Sequence, residues 1–294
     1  VNDAPVIADI DNQIIDEDGF LTLELSASDI DGDALTFSLG TDAANGSVTV
    51  SGSVATYVPT SNFNGDDSFV FVASDGELTS QASVSLTVNP VNDAPVLDDL
   101  ADANVAEDTD FELELSGADI DGDVLTFLAS VDANGSVEVD GSTLTVTPAL
   151  NYNGDITVSV IASDGQASGS GSFTLTVTPV NDDPVIGALD AQSIDEDSSL
   201  TVELSASDVD GDALTFSAEN GESEIVVNGT TLTITPPENY NGSEVVTVTV
   251  TDGSLSDSTE FTLTVNPVND APVLDDLADA NVAEDTDFEL ELSG

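Results

Sequence analysis

One phrase governs this sequence. Val-Asn-Asp-(Ala/Asp)-Pro-Val begins at Val1, Val91, Val180 and Val268, at spacings of 90, 89 and 88 residues. A chain that restarts at such intervals folds as a string of one small unit, because each restart marks a fresh core of modest domain size. The expected boundaries are 1–90, 91–179 and 180–267 for three complete repeats, with 268–294 as the start of a fourth. That start is identical to 91–117 at all 27 positions, and the third repeat is closer to the first than to the second. The array therefore alternates, with a super-repeat of 177 residues, and is read as an excerpt of a longer parent.

Within a repeat the apolar period is two. Phe20 to Leu25, Ser83 to Val88 and Thr143 to Thr147 alternate apolar and polar side chains, the pattern of a strand with one buried face. The runs are short and end at Asn-Gly, Asp-Gly or Pro. Asn-Gly pairs at Asn45, Asn134 and Asn228 sit between such runs and suit hairpins with positive φ. About seven strands in a ninety-residue unit predict an all-β chain of tandem immunoglobulin-like Greek-key sandwiches, placed end to end as a rod. Phe37, Phe69 and Phe71 are expected in the first core. Pro90 and Pro95, like Pro179 and Pro184, bracket the linkers and restrict them.

Composition then poses a problem for that fold. The chain carries 59 Asp and Glu and no Lys, Arg or His, a formal charge of −59. Such a charge repels itself in any compact state. Yet 39% of residues are hydrophobic and the mean hydropathy is +0.07, unlike a chain too polar to fold. The two are reconciled if cations come from solvent, and carboxylate oxygens select hard divalent ions, foremost Ca2+. The same absences close other routes. No Cys means no disulfide or thiolate site. No Lys or Arg means no footprint for nucleic acid and repulsion from anionic membranes. No apolar run is long enough to insert into a bilayer. Every acidic candidate recurs in each repeat, and no His, Lys or Cys stands beside it, so an enzyme is not expected.

The acids are ordered. Asp-x-Asp-Gly-Asp occurs at Asp29, Asp31 and Asp33, at Asp119, Asp121 and Asp123, and at Asp208, Asp210 and Asp212. Carboxylates at alternate positions around a turning Gly can wrap one calcium ion. Each copy lies 12 residues after the Glu of a Glu-Asp step (Glu17-Asp18, Glu107-Asp108, Glu196-Asp197) and 44 to 46 residues before a (Ser/Thr)-Asp-Gly turn at Asp75, Asp164 and Asp252. Asn-(Phe/Tyr)-Asn-Gly follows at Asn62, Asn151 and Asn239. Acids such as Asp98, Asp99, Asp102, Glu112, Glu114 and Glu138 read as solvent-facing charge.

This order of Glu, Asp-x-Asp, Asp-Gly and an Asn-Asp-x-Pro linker resembles cadherin-like repeats. More closely, it resembles the bacterial immunoglobulin-like tandem repeats of giant surface adhesins, over the whole chain. The resemblance implies calcium at the junctions between successive repeats. Carried over by residue, the first junction would use Glu17, Asn92, Asp93, Asp119, Asp121 and Asp164. The second would use Glu107, Asn181, Asp182, Asp208, Asp210 and Asp252. Asn2, Asp3, Asp29, Asp31 and Asp75 would serve the upper end, and Glu196, Asn269 and Asp270 the lower. Two departures stand out: the acidic Asp-Arg-Glu stretch of cadherins is absent, with Asn62, Asn151 and Asn239 near its place, and the linker reads Asn-Asp-Ala-Pro. Asp33, Asp123 and Asp212 have no role in the carried pattern and are candidates for a local site. The implied function is a secreted, calcium-rigidified extender whose partners are its own neighbouring repeats. The alternative is a filament subunit whose partial repeat adds strands to an identical chain.

Overall fold

The computed structural model describes residues 1–273, 276 and 279–291, and the chain divides into two compact units, Val1–Thr178 and Pro179–Gly294. The first unit holds two successive sandwiches, each around its own core. In the first, the strands are β1 (Val6–Ile7), β2 (Gln13–Asp16), β3 (Leu21–Glu24), β4 (Ala27–Ser28) and β5 (Thr36–Thr41), then β6 (Gly46–Ser51), β7 (Val54–Pro59), β8 (Gly65–Ser74) and β9 (Thr79–Asn89). One sheet runs β2-β9-β8-β5 and the other β3-β7-β6, while β1 and β4 form a two-residue pair. β2 lies parallel to β9, and the other pairs are antiparallel.

Alternation along the long strands makes the core. Phe69 and Phe71 of β8 and Val84, Leu86 and Val88 of β9 turn inward and meet Leu25, Val48, Ala55 and Tyr57. Each large side chain so buried contributes about 1.5–3 kcal/mol. Phe37 is half-buried and leans on Phe71, with ring centroids 6.2 Å apart. The second sandwich repeats the order, with Leu144, Val146, Ile156, Val158, Phe173 and Leu175 at its centre. The second unit contains a third copy, built on Leu232, Ile234, Val246, Val248, Phe261 and Leu263. The described residues contain strands and no helix, which makes this an all-β chain of tandem immunoglobulin-like sandwiches.

The Asn-Gly expectation needs correction. Asn45 and Asn134 join strands of opposite sheets, so they are crossovers rather than hairpins. Gly46 is glycine because a Cβ there would collide with the Tyr57 ring. Only Asn228 stands at a hairpin, where Gly229 takes φ 63°, as Gly52 and Gly141 do at the matching turns (63° and 64°). The start of the fourth repeat falls partly outside the described residues. Those of its residues that are described form no strand.

Candidate metal centre

The Asp-x-Asp-Gly-Asp loop leads from β4 into β5. Asp29 folds it by accepting the Asp31 and Asp33 amides on Oδ1, at 2.8 and 3.4 Å, and Gly32 supplies the turn at φ 81°. The other oxygen, Oδ2, is buried and has no hydrogen-bond partner. The next copy is built alike. Asp119 Oδ1 accepts Asp121 N at 2.9 Å and Asp123 N at 3.3 Å, and its Oδ2 is buried without a partner. In the second unit Asp208 Oδ1 accepts Asp212 N at 3.1 Å, and again Oδ2 is left. Each first Asp thus spends one oxygen on the loop and holds the other dry. Burying a carboxylate oxygen with no donor is costly. In the first loop the carboxylate oxygens of Asp29, Asp31 and Asp33 lie within 4.8 Å of one another.

The linker is tied to these loops in each of the three sandwiches. The amides of Asp3, Asp93 and Asp182 donate to Asp31, Asp121 and Asp210, each at 2.8 Å. Asn2, Asn92 and Asn181 donate through Nδ2 to Asp75, Asp164 and Asp252, at 2.9, 2.8 and 2.7 Å. The Leu78 and Glu77 amides hold the Asp75 carboxyl below its usual range. The Asn92 side chain does so for Asp164 and the Asn181 side chain for Asp252, each with help from the turn amides that follow.

Within the first unit the two sandwiches bring their acids together at the linker. Glu17 is 3% exposed, its amide donates to Asn89 O at 2.9 Å, and its Oε1 accepts Val91 N at 2.7 Å. Asp93 Oδ2 is buried and unpartnered. Burial pushes the Asp93 carboxyl up, and the charges of Asp18, Asp121, Glu17 and Asp119 push it further. Of the expected set, Glu17, Asp93, Asp119 and Asp121 therefore share one electrostatic neighbourhood, with Asn92 and Asp164 bonded at its flank. A recess of about 450 Å3 opens beside it, lined by Asn62, Asn64, Asn92, Asp121, Asp123 and Gln166.

Two participants lie outside the expected set. Asp18 is one, although the recurring Glu-Asp step displayed it. Gln166 is the other: its Nε2 donates to Asn92 Oδ1 at 2.8 Å, and nothing in the repeat pattern marks it. Of the residues assigned to the second junction, Glu107 (4% exposed) belongs to the first unit, and Asn181, Asp182, Asp208, Asp210 and Asp252 to the second. At the lower end, Glu196 accepts Val268 N at 2.5 Å and Asn241 Nδ2 at 3.3 Å. Asn269 turns to Asp270 O at 3.0 Å, and Asp270 itself is exposed.

The donor set at the first junction is all oxygen, crowded and anionic, with no cationic side chain anywhere to neutralise it. Such a set fits a hard divalent ion of flexible coordination, which is the chemistry of calcium. A bound ion of this kind would supply the missing partner for the dry oxygens of Asp93 and Asp119.

A family model described as a bacterial Ig domain matches residues 2–87, 92–178 and 181–266. Integrin beta-like protein A of Dictyostelium discoideum is 27% identical over 243 residues, covering 67% of this chain and 13% of its own length. Among solved structures, mouse protocadherin-24 EC1-3 is 15% identical at a TM-score of 0.47, covering 80% of this chain and 90% of that one. The endo-fucoidan hydrolase MfFcnA4 of glycoside hydrolase family 107 is 21% identical at a TM-score of 0.31, over 85% of this chain. This chain spans 42% of that hydrolase. With three matched segments over most of its length, the chain belongs to the bacterial Ig domain family.

Proposed function

We propose that this chain is a calcium-tightened spacer from an extracellular, adhesin-like protein, and that its work is mechanical rather than catalytic. The observation that carries this reading is the first junction. There Asp93 and Asp119 each bury an oxygen without a donor, and Glu17, Asp18 and Asp121 add like charge around Asp93. Without a cation these groups drive the two sandwiches apart; with one they become shared ligands that draw them together. Glu17, Asp93, Asp119 and Asp121 would hold the ion. Asn92 and Asp164 would keep the linker in place. Tandem bacterial Ig domains are typically extracellular, and among the described residues no helix is long and apolar enough to cross a membrane.

The test is small-angle scattering and calorimetry on the 294-residue chain, in calcium and in EGTA. Calcium is expected to raise the melting temperature and to narrow the distribution of particle dimensions. Identical profiles in both buffers would sink the reading.

A further inference from the structure

Asn-Gly occurs at seven places in the chain. A glycine after Asn has no Cβ to keep its amide nitrogen away from the Asn side-chain carbonyl, so each pair could cyclise and lose ammonia. The fold restrains these pairs very unequally. Asn45 is clamped: its amide donates to Asp67 at 2.9 Å, its carbonyl accepts Thr60 N at 2.8 Å, and Gly46 is packed against the Tyr57 ring. Asn134 is held alike, its carbonyl accepting Ala149 N at 2.7 Å, and a Cβ on Gly135 would stand 2.9 Å from Thr147 O. At Asn64, Asn153 and Asn241 the ring of Phe63, Tyr152 or Tyr240 stands next to the glycine. Asn220 is half-buried, with its Nδ2 withdrawn from solvent.

Asn228 has none of these restraints. It is exposed at the tip of the hairpin that joins Glu224–Asn228 to Thr231–Thr235. Its side chain has no hydrogen-bond partner among the described residues. Gly229 is exposed too, and a Cβ on it would meet nothing within 4 Å. Such tips are where local opening is easiest. The first and second sandwiches make the matching turns with Ser51-Gly52 and Asp140-Gly141, so the position accepts other short polar residues, an acid included.

We propose that Asn228 is a site of spontaneous covalent modification, deamidation to aspartate and isoaspartate, and that the folded chain ages first at this tip. The Gly229 amide nitrogen forms a bond to Asn228 Cγ and gives up its proton, while the Cγ–Nδ2 bond breaks and the side-chain nitrogen leaves as ammonia. Water then opens the cyclic imide. Attack at Cγ yields aspartate; attack at the main-chain carbonyl carbon yields isoaspartate. Nothing is oxidised or reduced, and solvent water is the only co-reactant. Aspartate keeps the turn, as Asp140 does at its own tip. Isoaspartate inserts an extra carbon into the main chain. It therefore disturbs the Asn228–Thr231 pair and the bonds by which Glu203 accepts the Thr230 and Thr231 hydroxyls, at 3.4 and 3.1 Å.

The experiment ages the full chain at neutral pH, folded and in urea, and cuts it after Glu with a Glu-specific protease. The fragment 225–238 then carries a single Asn-Gly, and mass spectrometry reads the amide-to-acid gain at each site. In the folded chain Asn228 is expected to convert about tenfold or more faster than Asn45 and Asn134, which must first open locally. In urea the rates should converge. Equal rates at the three sites in the folded chain, or a difference that persists in urea, would overturn the proposal. Asn228→Ser copies the turn of the first sandwich and cannot form the imide. The aged wild type should lose thermal stability that the aged variant keeps, and an equal decline in both would also overturn it.

Discussion

Asp67, at the foot of β8, and Asp93, in the linker between the first two sandwiches, are both carboxylates withdrawn from water, yet their surroundings are opposite. Asp67 is 9% exposed and accepts the amides of Ala44, Asn45 and Ser68 and the Tyr57 hydroxyl, at 3.1, 2.9, 2.8 and 3.0 Å. Burial pushes its carboxyl up, but the Ser68, Asn45 and Ala44 amides and the Tyr57 hydroxyl together bring it below the usual range. Tyr57 answers in kind: burial, then the bond to Asp67 and its charge, push the phenol well above its ordinary value. Asp93 has a dry oxygen and other carboxylates for company, and its carboxyl rises. A chain without cations can bury an anion where its own N–H and O–H groups converge. Where only further anions converge, it needs a cation from solvent.

The neighbouring sandwiches show how replaceable the first solution is. By strand register the place of Asp67, opposite Leu86, is taken by Ile156 opposite Leu175 and by Glu244 opposite Leu263. Glu244 accepts the Glu222 and Ser223 amides and the Ser223 hydroxyl. Ile156 needs no donors at all. The inner acid is therefore a local packing choice, whereas the junction acids recur in every copy.

The contrast can be broken most forcefully by withdrawing calcium. A ligand at a hundred times its dissociation constant adds about 2.7 kcal/mol per site, so EGTA should cause the largest fall in melting temperature, read by scanning calorimetry. An equal melting temperature in both buffers would remove the contrast.

Next comes Asp67→Ala. It strands three amides and a hydroxyl, and should cost the first sandwich about 2–4 kcal/mol in denaturant titrations, with or without calcium. A loss seen only in calcium would mean that Asp67 also belongs to the ion. Asp93→Ala should change sign with the buffer, lowering the melting temperature in calcium and raising it in EGTA, where it only relieves repulsion. The same sign in both would break the comparison from the other side.

The smallest effect is with acid. The folded Asp67 carboxyl lies below its unfolded value, so its contribution is complete above the unfolded pKa and fades as pH falls through the folded one. Chemical denaturation in EGTA below about pH 4 should therefore weaken the wild type more than Asp67→Asn. Parallel losses would show that the amides at Asp67 do not favour its ionised form.

Much of this was legible in the sequence. The period of two places the strands, and the recurring acids mark the loops that the linker binds. Asp67 was legible too, since it lies in phase with Phe69 and Phe71 and so faces inward. The pattern alone does not disclose that four donors await it, because they come from Ala44, Asn45, Tyr57 and Ser68, three of them distant in the chain. The Asn-Gly pairs misled because a crossover and a hairpin use the same residues, and Gly46 answers to the Tyr57 ring rather than to φ. Asp18 was displayed by the recurring Glu-Asp step but passed over, because only Glu17 matches the family pattern.

The most direct test is the calcium isotherm of the full chain beside that of the double variant Asp93→Ala with Asp119→Ala. Both substitutions delete buried oxygens that lack a donor and leave Asp67 and its partners untouched. The account predicts that the variant stays folded, binds fewer ions and loses the tightest class. Equal stoichiometry and affinity in the two chains would contradict it.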